Sequence, residues 1–417
     1  MSTSGSMDAL CDDALAGILV RLPSASVLRC RAVCRSWRRV TTDPWFLRDH
    51  AARRPLEMIT LTAPPCTSTW AVNTVSLPVD NPRPTESPPL SPLLHRKQLA
   101  GDGRTWMPGL INVLYSLDGL LVLFPWNGPF IVCNPVTRQW TDLPALNPEP
   151  CFKAFPCGFY LHGPSGEYRL LCHGLGEEEE EDEAARGGTG STWDRNRKRH
   201  YYILTAGGTL PRRLGVAPCC PTPTHPSGRA AEYDVPMAHR GILHWFALHR
   251  EASTTAKMLA FDTVSETFRL MSRPPELQQA AGNTTTTRQQ LLELDGELVV
   301  AAMQGVASLA IWALRDYKAE VWTLRCRVEV PPSTLYGGIS NNVMPTMALA
   351  VGAGAILIGD RYCDVARLYD LKEKRMRSQI YLGGQYLTFL AFRGSIMPHA
   401  FFDSPRSSEV PHIKFFD

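Results

Sequence analysis

The sequence has little that would place it in a membrane, an oxidising compartment or a catalytic class. Its longest apolar run, MALAVGAGAILI from Met347 to Ile358, falls well short of the ~20 residues a spanning helix needs. Gly352 and Gly354 interrupt that run, which suits a buried strand pair better. The opening stretch MSTSGSMDALCDDALAG has no basic region and no unbroken apolar core, so no secretory leader is expected. Twelve cysteines are scattered without a single CxxC pair, the pattern of reduced thiols in a cytoplasmic or nuclear protein. Cys172 stands beside His173, but no second pair follows at ligand spacing, so no metal is expected. With 43 basic and 40 acidic residues, a net charge of +3 supplies no bulk field for nucleic acid or a membrane surface. GxSxG, the P-loop, HExxH and the Gly-rich dinucleotide fingerprint are all missing. The histidines, His162, His173, His244 and His249 among them, share no ligand spacing, and no cofactor is expected. His244, next to Trp245, reads as part of an inner strand.

What is present begins with a helical head. From Asp12, the residues Leu15, Ile18, Leu19 and Leu22 recur at i, i+3, i+4 and i+7, one apolar stripe. Asp12 and Asp13 offer an N-cap and favourable charge at the helix start. Pro23 closes the helix, and Ser24 or Ser26 can cap the next. Apolar positions resume at Val27, Leu28, Val33, Cys34, Trp37 and Val40, with Arg29, Arg31, Arg35, Arg38 and Arg39 between them, until Asp43-Pro44 stops the pattern. Three short helices in about forty residues cannot bury this many large side chains among themselves. The surplus either packs on the rest of the chain or meets another molecule; spacing alone does not choose. The basic face with one aromatic also suggests nucleic acid, but arginines on the polar side of an amphipathic helix are ordinarily a solvated face.

The segment MDALCDDALAGILVRLPSASVLRCRAVCRSWRRVTTDPWFL resembles an F-box, the adaptor-docking motif of cullin-RING ubiquitin ligases, and carries its L..D.L..IL.RLP...L.R.R.VCRSWR pattern almost position for position. The likeness covers about a tenth of the chain. It departs at Cys11, where the family usually has proline; the cost is well below the ~3 kcal/mol of a misplaced proline, because Asp12 and Asp13 still favour the helix start. The resemblance implies a three-helix F-box over residues 8–50 that inserts into a groove of an acidic Skp-type adaptor, its arginines facing that partner. Through the adaptor it implies a cullin and a RING subunit. On the family's contact pattern fall Leu10, Leu15, Ile18, Leu19, Leu22, Pro23, Leu28, Val33, Cys34 and Trp37, with Trp37 as the main anchor. Each of these positions also reads as internal core of the head.

The remainder, residues 57–417, reads as short strands. LEMITLTAP and WAVNTVSLP alternate, and the proline-rich stretch 78–93 is expected to be an exposed loop unable to join a central sheet. Weak repeats follow. SLDGLLVLFPWNGPFIVCNPVTRQWTDLP begins with an Asp-Gly turn between apolar strands, then turns at Asn134-Pro135 towards Trp140. RGILHWFALHREASTTAKMLAFDTVSETFRLM repeats the plan with Asp262 and Phe268, at the same separation. Two more copies read LDGELVVAAMQGVASLAIWALRDYKAEVWTL and GAILIGDRYCDVARLYDLKEKRMRSQI. A four-stranded unit of roughly 45–50 residues cannot bury both of its faces alone, so six or seven copies closing a β-propeller are expected. Trp140, Phe268 and Trp322 would lie between blades. The acidic-to-basic stretch 176–200 and the loop 280–290 read as insertions, the first expected to be disordered. Its RNRKRH end is also a candidate nuclear localisation or docking patch, and Asn283-Thr284-Thr285 is a sequon without meaning in a reducing compartment.

GLLVL, VCNPVTRQWTDLP, GPSGEYRLL, YYILTAGG, RGILHWF, AFDTVSETFRLM and IWALRDY make this region similar to the F-box-associated, kelch-like domains of plant F-box proteins. The class expected is therefore α+β multidomain, an F-box followed by an all-β propeller. The resemblance implies a non-catalytic receptor subunit of an SCF-type ubiquitin ligase, cytoplasmic and/or nuclear, whose propeller binds an unknown target protein without nucleic acid or membrane. The alternatives are a propeller enzyme, a carbohydrate-binding propeller, or an F-box protein acting outside ubiquitination.

Overall fold

Proline and aspartate set the helix boundaries of the head, though not as the sequence suggested. The computed structural model describes residues 11–62, 69–77, 90–97, 111–125, 129–146, 155–175, 199–217, 220–221, 235–248, 257–278, 289–304, 308–329, 347–352, 354–359, 365–381, 386–403 and 413–415. Its head has four helices instead of three: α1 (Asp12–Leu19), α2 (Ser24–Cys30), α3 (Arg35–Thr42) and α4 (Pro44–Ala52). Asp43-Pro44 starts a helix. The Asp43 carboxylate accepts from the amides of Trp45 (2.8 Å) and Phe46 (3.3 Å), and Pro44 sits in the first turn, where its missing N–H costs nothing. Cys11 and Pro23 occupy the cap positions of α1 and α2 without side-chain bonds, so the expected caps Asp12, Ser24 and Ser26 do not serve. Asp12 instead ties α1 to α3 through Arg39 (2.5 Å).

The strands follow in chain order. β1 (Glu57–Thr62), β2 (Thr69–Ser76) and β3 (Leu90–Lys97) open the series, and β4 (Ile111–Leu117), β5 (Leu120–Pro125), β6 (Ile131–Asn134) and β7 (Gln139–Asp142) form the next sheet. A third consists of β8 (Phe155–His162), β9 (Glu167–Leu175), β10 (Arg199–Thr205) and β11 (Arg212–Val216). The fourth has β12 (Cys220–Pro221), β13 (Met237–His239), β14 (Ile242–Leu248), β15 (Lys257–Asp262) and β16 (Thr267–Ser272), and is followed by the single-turn helix α5 (Pro275–Gln278). The last two internal sheets are β17 (Gln289–Leu294), β18 (Glu297–Gln304), β19 (Ser308–Asp316), β20 (Val321–Glu329), and β21 (Met347–Gly352), β22 (Ala355–Gly359), β23 (Val365–Asp370), β24 (Arg375–Tyr381). Finally β25 (Tyr386–Phe392) and β26 (Ile413–Phe415) return to the first sheet, whose order becomes β25-β1-β2-β3-β26. Six sheets make six blades. Their first strands meet around the axis: β4 touches β8, β13 touches β17, β17 touches β21, β21 touches β25, and β25 touches β4.

Three expected loops are partly strand. Residues 90–93 belong to β3, where Pro92 pairs opposite Asn73 at a register shift; a bulge is one place a proline fits inside a sheet. Residues 78–89 lie outside the described residues. So do 176–198 and 280–288, while Arg199-His200 begin β10 and Gln289-Gln290 begin β17. The run from Met347 is the expected strand pair β21–β22, paired Ala348↔Ile358.

One turn recurs in four blades. Asn134, Asp262, Asp316 and Asp370 each close the third strand, and each side chain accepts from the amides two and three residues on: Val136 and Thr137, Val264 and Ser265, Lys318 and Ala319, Lys372 and Glu373. The residue four positions on has positive φ in all four, Arg138, Glu266, Glu320 and Lys374. Two positions further stand Trp140, Phe268, Trp322 and Met376, each packed in the seam towards the preceding blade. The Trp322 indole N–H donates to the Ser272 carbonyl (3.2 Å), and that of Trp245 to the Cys157 carbonyl (2.7 Å), bonds that cross from one blade to the one before. A turn that fixes the aromatic thus also fixes the angle between blades.

Every sheet is antiparallel, so connections after first and third strands share one face and the others share the opposite face. On the first lie the Asp118-Gly119, Arg240-Gly241 and Asp295-Gly296 turns, all with positive φ at both residues, and the four Asx turns. The ends of the second and fourth strands lie on the opposite face, and the residues that follow the second strands, 63–68, 126–128, 176–198, 249–256, 305–307 and 360–364, are outside the described residues. Glu57 at the start of β1 pairs with Phe392 at the end of β25, which puts the head on the short-turn face.

The Asx turn can be tested at Asp370, which is buried and also pairs with Arg377. The Glu373 amide foremost, with the Lys372 amide and Arg377, holds its carboxyl below the usual range against the opposing push of burial. The folded pKa is the lower one. Its contribution is therefore present above the unfolded carboxylate's ~4 and lost as pH falls through the folded value. Asp370→Ala is expected to cost about 2 kcal/mol in urea denaturation at pH 7. Asp370→Asn, which copies Asn134, should retain most of the stability and flatten its decline between pH 5 and pH 3, on the order of 1 kcal/mol.

Candidate functional site

The head's own core contains Leu15 and Leu19, 3% and 1% exposed, with Val27, Val40, Phe46 and Leu47. Both were expected to touch a partner; they face inward because α1 packs on α3, which follows α2 in the same bundle. Leu22, Leu28 and Trp37 are half-buried at the margin of that core, and Cys34 is half-buried at the cap position of α3. Ile18 (49% exposed), Val33 (62%) and Pro23 are open to solvent. Leu10 lies outside the described residues. The nine described positions thus separate into an inward pair, a half-buried margin of Leu22, Leu28, Cys34 and Trp37, and an outward set of Ile18, Pro23 and Val33 on α1 and the two links that follow it.

Trp45, 62% exposed in the first turn of α4, was missed. The signal was present: an Asp-Pro pair starts a helix as readily as it ends one, and with Phe46 and Leu47 turned inward the side chain before them is left outside. Trp45 borders a cleft between α1 and α4 lined also by Asp13, Ala16, Gly17, Val20, Arg21, Asp49 and Arg53. Nine arginines against four aspartates across residues 11–54 make the head strongly cationic within a nearly neutral chain.

Two basic groups are not free for a partner. Arg31 donates to the carbonyls of Thr41 (3.0 Å) and Ile396 (3.4 Å), and Arg54 donates to that of Val20 (3.4 Å). His50, fully buried and stacked on Phe46, donates from Nε2 to the Leu22 carbonyl (3.1 Å). Burial lowers its pKa, so it holds the α1–α2 link as a neutral ring.

The propeller's titratable groups do structural work. His244 lies on β14, the second strand of its blade and not the inner one; Nδ1 donates to the Met237 carbonyl (3.1 Å) and Nε2 accepts from the Tyr317 hydroxyl (2.7 Å). Burial first, with His239 and Arg269 nearby, depresses its pKa to about 4. His173 is buried against the rings of Phe155 and Tyr201. Glu266 accepts from Tyr160 (2.7 Å) and Arg169 (2.5 Å) and also pairs with Arg212, joining the third and fourth blades. Among the described residues, no three of His, Cys, Asp or Glu are placed to share a metal ion. No helix among them is long and apolar enough to cross a membrane.

Comparison with known proteins matches residues 7–49 to the F-box domain and residues 84–404 to the F-box associated beta propeller domain. This chain is an F-box protein with an F-box-associated β-propeller. Its relatives include F-box protein At5g49610 of Arabidopsis thaliana, 25% identical over 75% of this chain and 77% of the relative. F-box/LRR-repeat/kelch-repeat protein At1g09650 of the same plant is 24% identical over 85% of each chain. Among solved structures, apo AztD from Citrobacter koseri aligns with a TM-score of 0.40 and 12% identity, over 83% of this chain and 100% of that one. Such a distant likeness supports no conclusion about function.

In this F-box head, the two tryptophans should separate in their effects on folding. Trp37→Ala removes a side chain packed at the core margin and is expected to cost about 2 kcal/mol. Trp45→Ala should stay within about 0.5 kcal/mol. Thermal or urea unfolding of the helical signal reads both.

Proposed function

We propose that this F-box protein is the substrate-recognition subunit of an SCF-type ubiquitin ligase, acting in the cytoplasm and/or nucleus. Its head docks on a Skp-type adaptor and, through it, on the cullin and RING subunits. The propeller holds the target protein. The chain catalyses nothing itself; ubiquitin passes from a conjugating enzyme brought by the RING subunit. Its contribution is proximity, which raises the effective concentration of target lysines near the charged thioester.

The observation that carries this reading is the surplus of apolar surface on a cationic F-box: Ile18, Val33 and Pro23 outward, Leu22, Leu28 and Trp37 half-covered. Apolar anchors framed by arginines suit a groove in an acidic adaptor. Leu15 and Leu19 support the same docking indirectly, as the core that holds α1 in place. The division of the propeller supports a separate target surface. The turns bonded through their own side chains and the positive-φ Gly turns share a face with the head, and the ends of the second and fourth strands of each blade lie on the opposite face, free of the head. That is the face we assign to the target.

The intact chain should co-purify with a Skp-type adaptor. Because Ile18 and Val33 are exposed, Ile18→Asp with Val33→Asp should leave folding intact and weaken adaptor binding at least 30-fold, about 2 kcal/mol, by titration calorimetry. Unchanged affinity in the double variant would move the docking face elsewhere. A wild-type chain that binds no such adaptor would remove the receptor reading.

A further inference from the structure

The head's core includes a residue from a remote part of the chain. Ile396, 1% exposed, packs with Leu15, Leu19, Val27, Val40, Phe46 and Leu47, and Met397 and Val136 cover its edge. The Arg31 guanidinium joins the Ile396 carbonyl to that of Thr41 inside the head. Ile396 lies four residues beyond Phe392, the last residue of β25, the strand that closes the ring.

The same segment is fastened to the propeller on its other side. Asn134, whose carbonyl oxygen is occupied in its own turn, donates from Nδ2 to the buried Ser395 carbonyl (3.0 Å). Ser395 Oγ accepts from the Met397 amide (3.2 Å). Gly119 lies so close that a Cβ there would stand 2.4 Å from Ser395 Cβ and 2.8 Å from its backbone nitrogen. No other residue fits that contact, and the φ of +82° in the same turn also favours glycine. Farther along, Phe402 is buried in the seam between the second and third blades, and His399 and Phe401 pack edge-on against Tyr168. The Tyr168 hydroxyl donates to Asp118, in the turn that Ser395 touches (3.0 Å).

From this geometry we infer that residues 393–403 form a strap that completes the F-box core, so that the head becomes ordered and docking-competent only once the ring has closed. A unit of about forty residues has too little core to be stable alone. This one takes its missing apolar residue from a segment that Asn134 and Gly119 hold in place. Ile396 is a positioning residue: it acts on docking through α1–α4 and touches no partner. Only the effect on docking rests on the adaptor reading; the strap itself does not.

Hydrogen exchange of the full chain tests this, with adaptor affinity measured alongside. Ile396→Ser is expected to raise exchange in α1–α4 at least tenfold while β17–β20 keep wild-type protection, and to weaken adaptor binding about tenfold. Ile396→Val should stay within twofold in both. Asn134→Ala, which alters no residue of the head, should raise exchange in 393–403 and in α1–α4 together. If Ile396→Ser leaves the helices protected, the head is self-sufficient and the inference fails. If exchange rises equally in every blade, Ile396 is ring core and the inference fails too. Should the wild-type chain bind no Skp-type adaptor while the exchange pattern holds, the docking reading fails and the strap stands.

Discussion

The structure depends on one pairing made across more than three hundred residues. β25 lies beside β1, matching Phe392 with Glu57 and Tyr386 with Leu61, and without it the sixth blade and the first have no common neighbour. Loop-closure entropy grows only slowly with separation, so a contact this remote costs little more than a nearer one once the intervening blades are folded. Those blades supply the order. The seam is reinforced where it deforms: the register shifts between Met58 and Thr60, Phe389 takes positive φ, and the Thr388 hydroxyl donates to the Ile59 carbonyl (2.7 Å). On the outer side β26 pairs with β3, so residues from both parts of the chain enclose the first blade.

From that closure follows the polarity of the molecule. Since β1 enters as a second strand, the chain before it must leave from the short-turn face, and since β25 is a first strand, the chain after it leaves from the same face. The head and residues 393–403 therefore meet by topology before any side chain is considered. Side chains then make the meeting specific. Asn134 illustrates this: its Oδ1 closes its own Asx turn while its Nδ2 reaches the strap, which an aspartate, with two acceptors, could not do. In the other three Asx turns the residue is aspartate, and no such strap contact is made.

Much of this was legible. Apolar hairpins around Asp118-Gly119 and Asp295-Gly296, and an Asx residue six before an aromatic, are local patterns that backbone stereochemistry reads directly, and they gave the blades. The number of blades was open because the first sheet borrows strands from two places and the third replaces the Asx turn with Thr205–Arg212. Pro92 misled because a proline inside a sheet is tolerated at a bulge, and bulges leave no mark in composition. Asp43-Pro44 misled because the same dipeptide ends one helix and caps the next. In the head, the apolar stripe told which residues avoid water and not what covers them: Leu15 and Ile18 are adjacent members of one periodic pattern, yet one is sealed and the other half exposed. Ile396 had no signal at all, because nothing local connects it to a helix 365 residues away.

The surplus of apolar surface in the head is therefore divided, and the division constrains any partner. The chain's own strap contributes Ile396 to the core with Val27 and Val40 and is bonded by Arg31, while Ile18, Pro23 and Val33 stay exposed and Leu22, Leu28 and Trp37 are half-covered. A groove that received those half-covered residues would press on the core that Ile396 completes. Cores are close-packed and transmit such displacement. A head joined to its propeller by a flexible linker alone would have no fixed orientation to it. Here Arg31, Asn134 and Gly119, three residues in three separate elements, converge on residues 395 and 396 and hold the head against the propeller.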